Sequence, residues 1–181
     1  KLFLFLKTIS YKIMNKIFFK TLDNGKDLYK PEKATLGSAG FDLVAAIPDE
    51  ISLKPSETLL IPCGFSLELP KSFEAQVRPR SGIALKNQVT VLNSPGTIDS
   101  DYRGEIGVIL INHGKRNFDI ERGMRIAQIV FQKLPEIEII ESDTLSRTDR
   151  DKGGFGSTGL DWMEVICSKY KKESFTQLKL F

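Results

Sequence analysis

The sequence predicts an all-β protein whose many short strands close into a sandwich or barrel. Three observations carry that expectation. Apolar residues come in brief alternating runs, such as Thr58 to Ile61, Gly64 to Leu69 and Val89 to Leu92. Fourteen glycines and eight prolines punctuate the chain, as a turn-rich protein requires. Away from the two ends, helical periodicity is almost absent.

At 181 residues the chain is most simply one domain, long enough for a substantial core. The apolar share of 41% and charged share of 27% fit an ordinary globular protein. A net charge of +3 invites a nucleic-acid partner. Lys1, Lys7 and Lys12 account for all of it, and residues 1–13 hold no acid. The body carries no basic stripe interleaved with aromatics, so no nucleic-acid binding is expected. Cys63 and Cys167 form no CxxC, which argues against a disulfide framework or zinc site and for a reducing, cytoplasmic setting. The apolar run Leu2 to Leu6 is too short to span a bilayer and lacks the form of a secretory signal, so no membrane association is expected. Met14 is the expected natural start, with residues 1–13 an upstream extension.

Taken in order, Asn15 to Phe19 reads as a first strand, and Leu22 to Lys33 as a polar connection. In Gly37 to Ala46, Asp42 stands within an apolar run. A buried carboxylate is costly unless it is hydrogen-bonded or close to a cation, although an Asp capping a turn at a strand entry is the plainer alternative. Thr58 to Ile61 and Gly64 to Leu69 read as the two strands of the stretch Ile51–Leu69, with Cys63 a packed core or turn thiol between Pro62 and Gly64. Phe73 to Val77 is a further strand, delivering Arg78-Pro79-Arg80-Ser81-Gly82. Two guanidinium groups, a hydroxyl and a glycine at a strand end make either an anion cradle or a basic surface turn.

The segment Asn93 to Glu105 then joins two apolar runs, Val89 to Leu92 and Ile106 to Ile111. It reads as a β-hairpin with a long tip. Asp99 and Asp101 share a face if that tip is extended. Ile98 directly before Asp99, and Tyr102 after it, suit base chemistry better than a solvated turn does. His113, the only histidine, lies in the turn Asn112-His113-Gly114-Lys115 and is expected to be exposed. Gln128 is a lone amide in the apolar strand Arg125 to Phe131, so it needs a partner. Ile137 to Glu141 is expected to be a strand. Further on, Gly154, Gly156 and Gly159 spell GxGxxG, but a charged tail rather than a strand precedes them and the chain ends soon after. Dinucleotide binding is therefore rejected.

Five of these stretches, in order, resemble the five motifs of the trimeric dUTP diphosphatase (dUTPase) family: Gly37–Ala46, Arg78–Lys86, Asn93–Glu105, Arg122–Phe131 and Arg147–Gly159. The resemblance spans Met14 to Leu160. It implies a distorted jelly roll, the β-clip, assembled as a homotrimer with a swapped, flexible C-terminal arm. It also implies hydrolysis of dUTP to dUMP and diphosphate, which limits uracil in DNA and supplies dUMP for dTMP synthesis.

By resemblance, Asp99 would activate water for attack on the α-phosphorus, and Arg80 would orient the catalytic carboxylate or a phosphate. Ser81 and the amide of Gly82 would hold the triphosphate. Tyr102 would pack beneath the deoxyribose and leave no room for a 2′-hydroxyl. Asn93, Thr97 and backbone groups would read uracil, rejecting cytosine by mismatched donors and thymine by crowding. Asp42 and Gln128 would reach Mg²⁺ through water, with Gln128 also available to a phosphate oxygen. In the arm, Arg150 would grip the terminal phosphate, Phe155 would cover the base, and Gly156, Ser157 and Thr158 would add phosphate donors. Asp151 departs from the glycine the family usually carries after this arginine. Each active site would draw on three chains, so one chain would show a partial site.

The domain plan is then an upstream extension over residues 1–13, the β domain over 14–146, the arm over 147–160 and an extension over 161–181. In the last, Trp162, Val165, Ile166 and Tyr170 lie at helical spacing. Two alternatives accompany this reading. A nucleotide-sensing or protein-binding module on the same fold would bind without releasing diphosphate. A dCTP deaminase relative would need a carboxylate beside the exocyclic amine, which the strand Gly107 to Leu110 does not offer.

Overall fold

The computed structural model describes residues 15–28 and 30–155. The expectations for residues 1–13, for Gly156, Ser157 and Thr158, for Cys167 and for a helix over 161–181 lie outside the described residues. The chain divides into two compact units, one ending at Ile137 and one beginning at Glu138.

In the first unit the elements run β1 (Phe18–Thr21), a 3-10 turn (Asp23–Gly25), β2 (Phe41–Val44), β3 (Ile51–Leu53), β4 (Thr58–Pro62), β5 (Phe65–Glu68), β6 (Phe73–Arg78), α1 (Ser81–Asn87), β7 (Val89–Val91), β8 (Gly96–Ile98), β9 (Gly107–Asn112), β10 (Phe118–Ile120) and β11 (Arg125–Lys133). All strand pairs are antiparallel. They form a four-stranded sheet in the order β2-β11-β6-β8, a three-stranded sheet β4-β9-β7, and the pairs β1-β5 and β3-β10. Successive strands thus alternate between sheets, in a jelly roll of short segments.

The alternation read from the sequence is what packs these sheets. β9 buries Val108, Leu110 and Asn112 and turns the residues between them outward. Leu43, Leu53, Ile61, Ile106, Ile126 and Ile129 are buried to within 2% of completely. Each such aliphatic side chain contributes about 1.5–3 kcal/mol of burial. Asn112 is the fully buried polar side chain among the described residues. Its Nδ2 donates to the carbonyls of Leu53 (2.9 Å) and Arg116 (2.8 Å), and its Oδ1 accepts from the N–H of Gly114 (2.8 Å), so no polar group is orphaned where β9 ends.

The structure corrects the sequence reading in four places. A short helix, α1, follows Arg80 where a turn was expected. It buries none of its residues, so no apolar stripe announces it, and it ends at Gln88 in the left-handed region with φ 58°. Ile51–Leu53 forms a third strand, too short to show alternation, in register with β10. Ile137 to Glu141 is not a strand. Its apolar side chains Ile137, Ile139 and Ile140 are exposed, and no ladder partner among the described residues holds it extended.

The fourth correction concerns the hairpin. Its arms pair as expected, Val89 opposite Asn112 and Val91 opposite Leu110. The connection, however, leaves the three-stranded sheet, because β8 pairs with β6 in the four-stranded one, Ala75 opposite Ile98 and Val77 opposite Gly96. Asn93 to Glu105 is therefore a bridge between two sheets rather than a free tip.

Candidate active site

That bridge encloses a pocket of about 260 Å³. Leu60, Val77, Ile106 and Ile109 supply apolar wall, and Asn93, Thr97, Asp99, Tyr102 and Glu105 supply polar groups. The volume lies just under the roughly 300–1,000 Å³ usual for ligand pockets, which suits one flat ring rather than a whole nucleotide. Four residues expected at the site from the sequence, Asn93, Thr97, Asp99 and Tyr102, come together here. Gly96 makes room for Asn93, since a Cβ on it would come within 3.1 Å of Asn93 Nδ2.

Asp99 leaves the end of β8 exposed, and its carbonyl accepts the N–H of Tyr102 at 3.2 Å. The segment is therefore a turn rather than extended, and Asp99 and Asp101 both border a hollow beside Lys71, Phe73 and Glu74. Tyr102 is about half exposed, and its hydroxyl donates to the carbonyl of Glu105 at 3.0 Å. Its ring lies against Gly104, where an added Cβ would sit 2.9 Å from Cε2 and closer still to the hydroxyl. Only glycine fits under the ring.

Glu105, which the sequence reading passed over, is partly buried. Its Oε1 accepts from the N–H of Gly64 and from Asn24 Nδ2, both at 2.7 Å. Burial pushes the neighbouring Cys63 thiol far above its ordinary range, and the Glu105 charge adds to the shift. Cys63 is thus a neutral core thiol. His113 is exposed, as expected.

A second cluster forms around Asp42 on β2. Arg80 Nε lies 3.0 Å from Oδ1 and Arg125 Nη1 lies 3.1 Å from Oδ2. Arg80 Nη1 also donates to the carbonyl of Arg125 at 3.1 Å. The buried-looking Asp of the sequence is thus answered by two cations. Gln128 is directly opposite Asp42 in the ladder, and its Nε2 donates to the carbonyl of Pro79 at 2.9 Å. Arg125 is three residues from Gln128, which in a regular strand would put it on the other face. A bulge between Arg125 and Ala127 adds the residue that brings both to Asp42. Ser81 and Gly82 begin α1 directly after Arg80.

Arg80 and Asp99 are not brought together within one chain. Asp99 follows β8 near the Phe73 end of β6, while Arg80 follows the other end. From Ala75 to Arg80 the strand rise alone amounts to roughly 15 Å. The carboxylate that Arg80 orients here is Asp42.

The second unit carries the described part of the arm. Arg150 Nε donates to the carbonyl of Gly153 at 2.8 Å, and the N–H of Asp151 donates to Thr148 Oγ1 at 3.0 Å. Asp151 takes φ 40° and Phe155 φ 49°, and Phe155 is exposed. The position at which the family usually has glycine is thus left-handed, a region that Asp tolerates better than most side chains.

For a divalent ion, no group of three His, Cys, Asp or Glu side chains is poised among the described residues. Both oxygens of Asp42 already face guanidinium groups. Gln128 Oε1 lies over Gly40, where any Cβ would collide with it. This set does not fit a resident ion bound directly. It fits water-mediated contact with a magnesium that keeps most of its hydration shell.

Residues 27–159 match the family model for dUTPase. The chain is 57% identical over 149 residues to the deoxyuridine 5'-triphosphate nucleotidohydrolase of Rickettsia bellii (strain OSU 85-389), covering 81% of this chain and 97% of the relative. Among solved structures, the dUTPase of Staphylococcus bacteriophage 80alpha with dUpNHpp superposes with a TM-score of 0.72 at 24% identity, covering 81% of this chain and all of that one. A mutant dUTPase from S. aureus phage phi11, described for the coordination of a structural Mg(II) ion, superposes at 0.62 and 20% identity over 72% of this chain and 98% of that one. These two likenesses establish the β-clip jelly roll. With a family model covering most of its length and a relative matched nearly end to end, the chain belongs to the dUTPase family.

Proposed function

We propose that the chain hydrolyses dUTP to dUMP and diphosphate with Asp99 as the base that activates water. The pocket carries this reading: one bridge between two sheets gathers Asn93, Thr97, Asp99 and Tyr102 around a cavity sized for a pyrimidine. Uracil enters against the apolar wall, with Asn93, Thr97 and backbone groups as its polar partners, and the deoxyribose lies over Tyr102. Asp99 then accepts a proton from the water that attacks the α-phosphorus. Positioned base catalysis of this kind supplies about 10²–10⁴-fold.

The phosphate end falls to Arg80, Ser81, Gly82 and Gln128, and to Arg150 with residues 156–158 when the arm closes, while Phe155 covers the base. Bound magnesium would neutralise charge that builds on the phosphates. Asp42 and Gln128 would reach that ion through its bound water. The distance along β6 between Asp99 and Arg80 supports sites shared between subunits of a homotrimer, as do the exposed Ile137, Ile139 and Ile140. The free, buried Cys63 is in keeping with a reducing cytoplasm.

The test is diphosphate release from dUTP, with dTTP, dCTP and UTP alongside, with and without Mg²⁺. Selective, magnesium-enhanced turnover of dUTP is expected. Tight dUTP binding without turnover would favour a sensing module, and uracil-nucleotide release from dCTP would favour a deaminase.

A further inference from the structure

We propose that Glu105 is a positioning residue that sets discrimination between deoxyribose and ribose by fixing the ring of Tyr102. The inference rests on the reading of Tyr102 as the surface beneath the sugar. Tyr102 is a large ring on an exposed loop, and a sugar filter made from it is only as selective as the ring is still. Among the described residues the hydroxyl of Tyr102 has one partner, the carbonyl of Glu105 at 3.0 Å. That carbonyl belongs to a peptide unit held from two sides, by the Ile106 N–H bond to the carbonyl of Phe65 at 2.8 Å and by the anchored Glu105 side chain.

The Glu105 carboxylate reaches back across the fold to two donors at 2.7 Å, the N–H of Gly64 and the side-chain amide of Asn24. Hydrogen bonds to an ionised acceptor are roughly twice as strong as neutral ones. The next residue completes the attachment: the N–H of Cys63 donates to the carbonyl of Ile106 at 2.9 Å, and the N–H of Ile106 to the carbonyl of Phe65 at 2.8 Å.

The anchor itself is rigid. Gly64 takes φ +77° and lies against Gly25 so closely that a Cβ on either would overlap the other's backbone. Arg122 Nη2 then ties down the carbonyls of Asn24 and Lys26, both at 2.9 Å. A chain of short contacts therefore runs from the 3-10 turn through Glu105 to the Tyr102 hydroxyl, with Gly104 leaving the space the ring occupies.

The test is the ratio of kcat/KM for dUTP to that for UTP, which does not change with the fraction of active protein. Glu105→Ala removes the acceptor of both donors and leaves the loop held only by the Ile106 backbone bonds. Its ratio should fall roughly tenfold or more, the scale of one hydrogen bond to a charged group. Glu105→Gln keeps an oxygen for Gly64 and Asn24 and should restore most of the ratio. Tyr102→Phe, which deletes only the hydroxyl, should lower the ratio in the same direction and carries the test if the alanine variant fails to fold. An unchanged ratio in folded Glu105→Ala or in Tyr102→Phe would overturn the proposal, as would a glutamine variant no better than alanine. A wild-type protein that hydrolyses dUTP and UTP equally would instead overturn the placement of Tyr102 beneath the sugar.

Discussion

Arg80 Nε and Asp42 Oδ1 lie 3.0 Å apart, joining the second motif to the first across the β11 strand that separates their own strands in the sheet. Arg125 reaches the other oxygen of the same carboxylate from β11 itself. One carboxylate thus holds two guanidinium groups at the place where the triphosphate is expected.

Asp42→Asn should cost about 1–2 kcal/mol of stability, the low end for charge-assisted bonds because Arg125 is half exposed and screened. It should also flatten the magnesium dependence of dUTP turnover. Urea unfolding and a magnesium titration of activity measure the two separately. A variant with the wild-type magnesium response would remove Asp42 from the metal's water shell.

Asp99→Asn keeps the shape of the pocket but has no basic oxygen of comparable strength. Nucleotide affinity should be retained while kcat falls by about 10²–10⁴-fold. Isothermal titration with a non-hydrolysable dUTP analogue, paired with diphosphate release, checks both halves. Near-normal kcat would exclude Asp99 as the base.

Asp151→Gly exchanges a left-handed Asp for the residue that adopts φ 40° without steric cost, and removes a negative charge beside Arg150. A severalfold lower KM for dUTP is expected, on the scale of the roughly 1 kcal/mol that a left-handed backbone costs an ordinary L-residue. A KM that stays constant in the variant would show that the arm is indifferent to this position.

Cys63 gives a pH dependence of defined sign. In the folded chain its thiol keeps its proton above the ordinary value of 9.0, where the unfolded chain releases it. The unfolded state then binds fewer protons, so stability is unaffected below that value and falls as pH rises past it. Urea midpoints at neutral pH and at about pH 10 should diverge more in the wild type than in Cys63→Ala. Equal divergence in the two would assign the loss to other groups.

The sequence by itself determined the class of the fold and, through its motifs, the family and the residues proposed for the chemistry. Short alternating runs fixed which faces are buried, since the period of two is a property of extended backbone whatever its partner. Asp42 and Gln128 were legible because each stands out in polarity within an apolar run, whereas Arg80, Asp99 and Tyr102 were legible through the motifs that carry them. Tertiary structure decided what each one touches. The β11 bulge that carries Arg125 to Asp42, the transfer of β8 to the four-stranded sheet, and the reach of Glu105 to Gly64 and Asn24 all join residues far apart in the chain. Such contacts are set by ladder register and by close backbone approach, and neither leaves a local pattern in the sequence. The helix after Arg80 escaped for the complementary reason: only Ile83 packs on the core, so it has no periodicity to read.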